Sequence, residues 1–256
     1  MLANEFSKPE VRKTIETLWK ISDFYKEKNR KFAEAVKELS ELGYPDLSGG
    51  SMEVPFDNYS DNYRGTILSL EDIYANDDVV IRYTEDFHQK QLAKIRNMNK
   101  DGSKNGKYVS DMLHKGMDGF MSDEVYEKFY WRHLYEMMET VIECGMIPML
   151  FCEGKYDSRI KFLKDAPKGR KLYRFERIDM KAAKAAIGNN ACLGGAFPSQ
   201  LLQFGTKEQV VEETKRLLGE AMPGGGYIFR CSAGLDGGKV ENVIAMFETV
   251  REYGKY

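Results

Sequence analysis

The sequence predicts an α/β fold built on parallel strands, and three observations predict it. From about residue 105 onward, short apolar runs alternate with helix-length amphipathic stretches. The apolar runs end abruptly in polar residues, as in Met146-Ile147-Pro148-Met149-Leu150-Phe151-Cys152-Glu153-Gly154. Glycines stand where the helices should stop, at Gly145, Gly188, Gly219 and Gly254. Strands separated by helices pair in parallel through right-handed crossovers.

Taken in order, Pro9 behind Ser7 opens a stretch with Val11, Ile15, Leu18, Trp19, Phe32, Val36 and Leu39 at helical spacing. It predicts one or two amphipathic helices stopped at Gly43. Residues 44–63 hold Pro45, Gly49, Gly50 and Pro55 and read as a loop. That loop carries Phe56, Asp57, Tyr59, Asp61 and Tyr63, more aromatic and acidic groups than a connector needs, which marks it as an active-site loop. Two helices follow from Gly65 to about Asn99, broken near Asn76, where Asn76 or Asp77 offers an N-cap.

A strand at 108–113 and a long helix capped by Ser122 begin the alternation. Strands at 146–152, 171–176, 191–196 and 226–233 then precede helices at 157–165, 179–187, 206–221 and 240–253, and Thr206 with Gln209 has capping-box spacing. Five β/α units are visible. They fit an open parallel sheet, or a (β/α)8 barrel whose remaining strands are hidden in weak patterns or supplied by another chain. The expected organisation is a mainly helical part, 1–105, and a β/α-barrel segment, 106–256, within one domain.

Composition excludes several classes. The 38 basic and 40 acidic residues give a net charge of −2, with no global pull towards nucleic acid or anionic lipid. No apolar run nears the roughly 20 residues that span a bilayer, and the first ten residues lack a signal-peptide core, so the expected address is the cytoplasm. Cys144, Cys152, Cys192 and Cys231 form no CxxC pair and read as reduced thiols.

In a parallel sheet the carboxyl ends of the strands gather on one face, where ligands bind. Read off in turn, the rim holds His114, Lys115 and Asp118, then Glu153, Tyr156 and Arg159. Glu176, Arg177 and Asp179 come next, and Cys231, Ser232, Asp236 and Lys239 come last. Such a set suits acid–base chemistry or metal binding. His114, Glu153 and Cys231 together offer the N, O and S donors of a catalytic zinc with one open position, although no closely spaced ligand pair accompanies them. Glu153 could equally cap the helix starting near Asp157 or pair with a nearby Lys or Arg.

The motifs in sequence resemble the uroporphyrinogen decarboxylase superfamily, and within it the decarboxylase-like proteins found beside corrinoid-dependent methyltransferases in anaerobic bacteria. The residues carrying the resemblance are Pro55-Phe56-Asp57 with Arg64-Gly65, His114 to Ser122, Phe129-Tyr130-Trp131, and Phe151-Cys152-Glu153-Gly154 with Tyr156 and Arg159. Asp179-Met180, Gly224-Gly225-Gly226-Tyr227-Ile228 and Glu241-Asn242 continue it. The resemblance implies a (β/α)8 barrel of that family, N-terminally short here because the family's first strands precede the position of Pro9.

It implies Glu153, His114, Asp118 and Asp236 as catalytic groups, and Phe56, Asp57, Arg64, Tyr156 and Arg159 as substrate-binding ones. Glu153, Cys231 and His114 become the candidate zinc ligands. The methyltransferase branch binds zinc on a His-x-Cys pair whose positions are Phe151 and Glu153 here. The family's last Cys position falls at Ala233, two residues past Cys231. The implied activity is methyl transfer to or from a corrinoid on a partner protein. Tetrapyrrole decarboxylation, with Arg159, Arg174 and Arg177 as anion binders, is one alternative. An inactive fragment is another, as is a subunit needing a separate N-terminal half. The implied partners are a small-molecule substrate, a corrinoid protein, and an N-terminal-half polypeptide or second copy, with no nucleic acid or membrane.

Overall fold

A computed structural model describes residues 2–235 and 237–256. The chain divides into two units, one ending at Leu47 and the other spanning Ser48–Tyr256. In the first unit a short helix, Leu2–Phe6, precedes one helix of 33 residues, Pro9–Glu41. Pro9 is suited to the first helical position, and no Gly or Pro interrupts the run to Glu41, so one helix forms where one or two were expected. Arg30 ties it to Glu27 at 2.7 Å and Glu34 at 2.6 Å. It stops at Gly43, whose φ of +91° lets Tyr44 N–H turn back to Leu39 O. None of its residues is buried, and Trp19 and Phe32 remain two-thirds exposed.

The second unit is a six-stranded parallel sheet whose spatial order is its sequence order. The strands are β1 (Ser48–Ser51), β2 (Tyr108–Leu113), β3 (Ile147–Lys155), β4 (Leu172–Arg177), β5 (Cys192–Gly195) and β6 (Tyr227–Ile228). This is the expected α/β barrel-type architecture, with the sheet unclosed: among the described residues β1 and β6 do not pair. The structure has one strand more than the five the sequence announces. Within 44–63, read as loop, β1 is Ser-Gly-Gly-Ser and has no apolar residue to betray it. A Cβ on Gly49 would lie 2.9 Å from Tyr108 O, so glycine is what lets β1 approach β2. At the other edge β6 is shorter than the expected 226–233, and pairing resumes only at a single Phe197–Cys231 bridge.

Alternation along the strands sorts their side chains. Val109 and Leu113, Leu150 and Cys152, Tyr173 and Phe175, and Leu193 are fully buried. They share the core with Leu134, Met137, Met138 and Val141 of helix Arg132–Glu143, Ala183 and Ile187 of Met180–Ile187, and Leu217 and Leu218 of Lys207–Ala221. The opposite phase is less covered: Met149 and Phe151 are half-buried and Met112 is 58% exposed. Caps follow the sequence. Ser122 accepts from Val125 N, and Thr206 with Gln209 completes both bonds of its capping box. Gly188 and Gly254 stand at helix ends, whereas helix Lys207–Ala221 runs through Gly219, where a side chain would meet open space. Asn76 occupies its N-cap position without a capping bond, its amide being drawn to Asp72 instead. All four cysteines are free. Among the described residues no helix is long and apolar enough to cross a membrane.

Leu150 is fully buried at the centre of β3. Leu150→Ala should lower the unfolding free energy by about 2–5 kcal/mol, the usual cost of lost transfer energy plus a cavity, with the shift read from urea denaturation.

Candidate active site at the carboxyl ends of β2 and β3

After β1 the chain enters a helical turn, Pro55–Asn58, and a π-helical turn, Tyr59–Arg64. A second π-helical turn, Glu127–Trp131, follows the loop after β2. Such turns re-aim side chains within a helix and recur at functional sites. Together with the Pro55–Asn58 turn, these two place Asp57, Asp61 and Tyr130 against the end of β2. Asp57 is buried and accepts three hydrogen bonds: Oδ2 from His114 N (3.0 Å) and Tyr130 Oη (2.6 Å), and Oδ1 from Lys115 N (2.9 Å). Burial pushes its pKa up to about 7 against the pull of those donors.

Asp61 holds the side chains of the same two residues, His114 Nδ1 and Lys115 Nζ, each at 2.5 Å. Partial burial would raise its pKa, but Lys115 and His114 together outweigh that and hold it below the ordinary carboxylate value. Bonded to Asp61 through Nδ1, His114 turns Nε2 to Glu153 Oε2 at 3.5 Å. Glu153 therefore faces a histidine. Beside it Glu176 Oε2 accepts from Gly154 N at 2.6 Å. Gly154 has φ +79°, and a Cβ there would meet Met117 Sδ at 2.5 Å. His114, Lys115, Met117, Glu153, Gly154, Glu176 and Arg177 line a cavity of about 430 Å3.

The other expected site residues lie elsewhere or make internal contacts. Asp118 accepts from Ser158 N and Oγ and so joins the loops after β2 and β3. Arg159 is buried. Its guanidinium donates to Gly116 O, Met121 O and Asp123 and lies 4.2 Å over the Tyr126 ring. Tyr156 is buried with its hydroxyl on Leu113 O, and Phe56 is buried in the core. Arg64 grips Asp72 through Nε and Nη2, and with Tyr59 it holds that carboxyl well below its ordinary pKa. Arg174 lies over the Phe151 ring, while Arg177 reaches the cavity wall. Asp236 lies outside the described residues.

The zinc set does not assemble. Cys231 Sγ lies 3.6 Å from Met246 Sδ of helix Val240–Tyr253, whereas His114 and Glu153 face one another across the ends of β2 and β3. Among the described residues no group of three or more His, Cys, Asp or Glu side chains could hold a metal. The two-residue offset of Cys231 from Ala233 keeps a strand phase, and that phase turns the thiol to the helix layer. The donors present do not fit the zinc of the methyltransferase branch.

Asp61, Lys115 and Asp111 are the residues sequence reasoning did not single out as a set. Asp111 had a readable signal: it occupies the same strand phase as Val109 and Leu113, where an apolar residue belongs.

The fold and rim define an α/β protein of the barrel type with Asp61, His114, Lys115 and Glu153 clustered at its carboxyl face. The family model for uroporphyrinogen decarboxylase (URO-D) matches residues 5–253, so the chain belongs to that family. The structure is similar to a methyltransferase from Methanosarcina mazei, with TM-score 0.61 and 18% identity over 80% of this chain and 58% of that one. The chain thus spans under two-thirds of that protein's length. No curated protein sequence matches it.

Two outcomes test this geometry. Asp57 keeps its proton in the folded state between about pH 4 and pH 7 while the unfolded chain loses it, so this group's stabilising contribution falls as pH rises through that window. Relative to Asp57→Asn, the parent should lose up to about 4 kcal/mol between pH 4 and pH 8 in urea unfolding. Arg159→Lys keeps the charge but not the fork, and should lower the melting temperature and expose the 116–123 loop to proteolysis.

Proposed function

We propose that the chain is a methyltransferase-like enzyme of the uroporphyrinogen decarboxylase family that moves a methyl group to or from a corrinoid carried by a partner protein. The observation that carries the reading is the line Asp61–His114–Glu153, with Nδ1 held and Nε2 turned to the cavity. Asp61 fixes the imidazole orientation through Nδ1, which leaves Nε2, facing Glu153, as the nitrogen that carries a proton to the cavity. His114 then delivers that proton to the heteroatom of the methyl donor. The heteroatom keeps the electron pair of the breaking bond to carbon and leaves neutral. Acid catalysis here does for the leaving group what a Lewis acid otherwise does.

The corrinoid, when present, supplies the centre that takes or gives the methyl group. His114 and Glu153 are about one-third and one-half exposed at an open cavity, which suits a group presented by another protein. Phe56, Tyr156 and Arg159 shape the rim from beneath, and Asp57 positions the backbone of His114 and Lys115.

Purified protein, reduced free cobalamin and methylated ethers, thioethers and amines should give methylcobalamin, followed by its absorbance. His114→Ala should slow the reaction about 10²–10⁴-fold, the usual weight of a general acid. Asp61→Asn should slow it as well, by loosening the imidazole held at Nδ1. Absence of methyl transfer from every donor would sink the reading. Carbon dioxide release from a tetrapyrrole carboxylate in the same preparation would replace it with decarboxylation, for which Arg177 and Lys115 are the cations at the cavity.

A further inference from the structure

His114 belongs to two cavities. On its other side lies a smaller one, about 260 Å3, lined by Ser51, Met52, Glu53, Asp57, Lys94, Ser110, Asp111, Met112 and His114. Three of its walls are carboxyl groups. Asp111 is 5% exposed, and its Oδ2 is buried with no hydrogen-bond partner. A buried carboxyl oxygen without a donor is costly, and native structures leave few of them. Asp57 has its donors, and Glu53 accepts from Asn58 at 2.9 Å and Asn62 at 3.2 Å, so the unmet acceptor is Asp111 alone. Burial first, and Asp57 next, raise the Asp111 pKa well above its ordinary value.

The walls also define the shape of that cation. Among the described residues no Phe, Tyr or Trp lines the cavity, so it lacks the cage that selects quaternary ammonium. Carboxyl and hydroxyl acceptors call for N–H donors, while Met52 and Met112 give soft contacts for methyl groups. The volume falls below the range of about 300–1,000 Å3 usual for drug-sized ligands. Among the described residues no cluster here has the donors for a metal ion.

We propose that the cavity beside Asp111 binds an alkylammonium group bearing at least one N–H, such as the protonated nitrogen of a mono- or dimethylated amine. This rests on the methyl-transfer reading and names its donor class. The nitrogen, an alkylammonium that carries its own proton at neutral pH, is held by Asp111 with Ser110 and Glu53 around it. The C–N bond breaks with its pair left on nitrogen, the methyl group passes to the reduced corrinoid of the partner, and a neutral amine with one methyl fewer departs. The charged groups facing Asp111 are Glu53 after β1, Asp57 in Pro55–Asn58, Lys94 in Asp77–Met98 and His114 after β2. A cation in the cavity favours the ionised acid and releases its proton.

The test is binding without turnover, so it fails or succeeds independently of methyl transfer. Dimethylammonium chloride is titrated into the full chain by calorimetry in two buffers of different ionisation enthalpy. Saturable binding with proton release, weakened at least tenfold in Asp111→Asn, is expected. Potassium chloride and dimethyl ether should not compete. Met112→Lys, at an exposed position able to place its own ammonium over the cavity, should block binding while the protein stays folded. No saturable binding to the parent, undiminished binding to Asp111→Asn, or equal competition by potassium would each overturn the proposal.

Discussion

The Asp57 carboxylate is the point on which the carboxyl face of this sheet depends. It receives the backbone amides of His114 and Lys115 and the hydroxyl of Tyr130, joining the turn after β1, the loop after β2 and the second π-helical turn. A buried carboxylate is unfavourable unless its lone pairs are met. Here they are met by backbone donors that have nowhere else to go once β2 ends at Leu113. The same bonds that make Asp57 tolerable therefore fix where His114 and Lys115 can point. Asp61, one helical turn on, takes their side chains. Two aspartates four residues apart thus divide the task, one fixing main chain and the other side chain.

Around this centre the polar groups serve two purposes. Arg159 donates to, and Asp118 accepts from, the loops after β2 and β3, with the Arg159 guanidinium against an aromatic face and free of bulk water. A fork of donors in that position stiffens the loops from which Glu153 and His114 project. Glu153 and His114 keep exposed atoms. The rim therefore separates into a rigid, internally satisfied underside and a small outer set whose bonding capacity remains available.

Much of this was legible in the sequence where apolar pattern carries it. The strands after residue 105, the Ser122 cap, the Thr206 capping box and Glu153 at a strand end all follow from periodicity and punctuation. β1 was not, because Ser-Gly-Gly-Ser pairs through backbone alone and hydrophobicity has nothing to report. The length of β6 was overread for the opposite reason: Phe229 and Cys231 keep the alternation of a strand after regular pairing has ended. Arg159 and Tyr156 show a further limit. Residue type and strand-end position announce a polar group at the rim, but only the fold shows whether it faces the cavity or the loop beneath. Cys231 is the same case in one dimension, since a strand phase can be counted without showing which layer it meets.

Pairing in sequence order has a further consequence. Each strand meets only its neighbours along the chain, so local stability is laid out like that of a repeat array, greatest in the middle and falling to either end. β3 is flanked on both sides, whereas among the described residues β1 has a single neighbour and an irregular register with it. Asp57 and Asp61 follow directly from β1, while His114 and Glu153 end the better-supported β2 and β3. The cluster thus straddles a gradient of opening free energy. Whatever loosens β1 therefore acts on both aspartates together, while the histidine and glutamate remain on the paired β2 and β3.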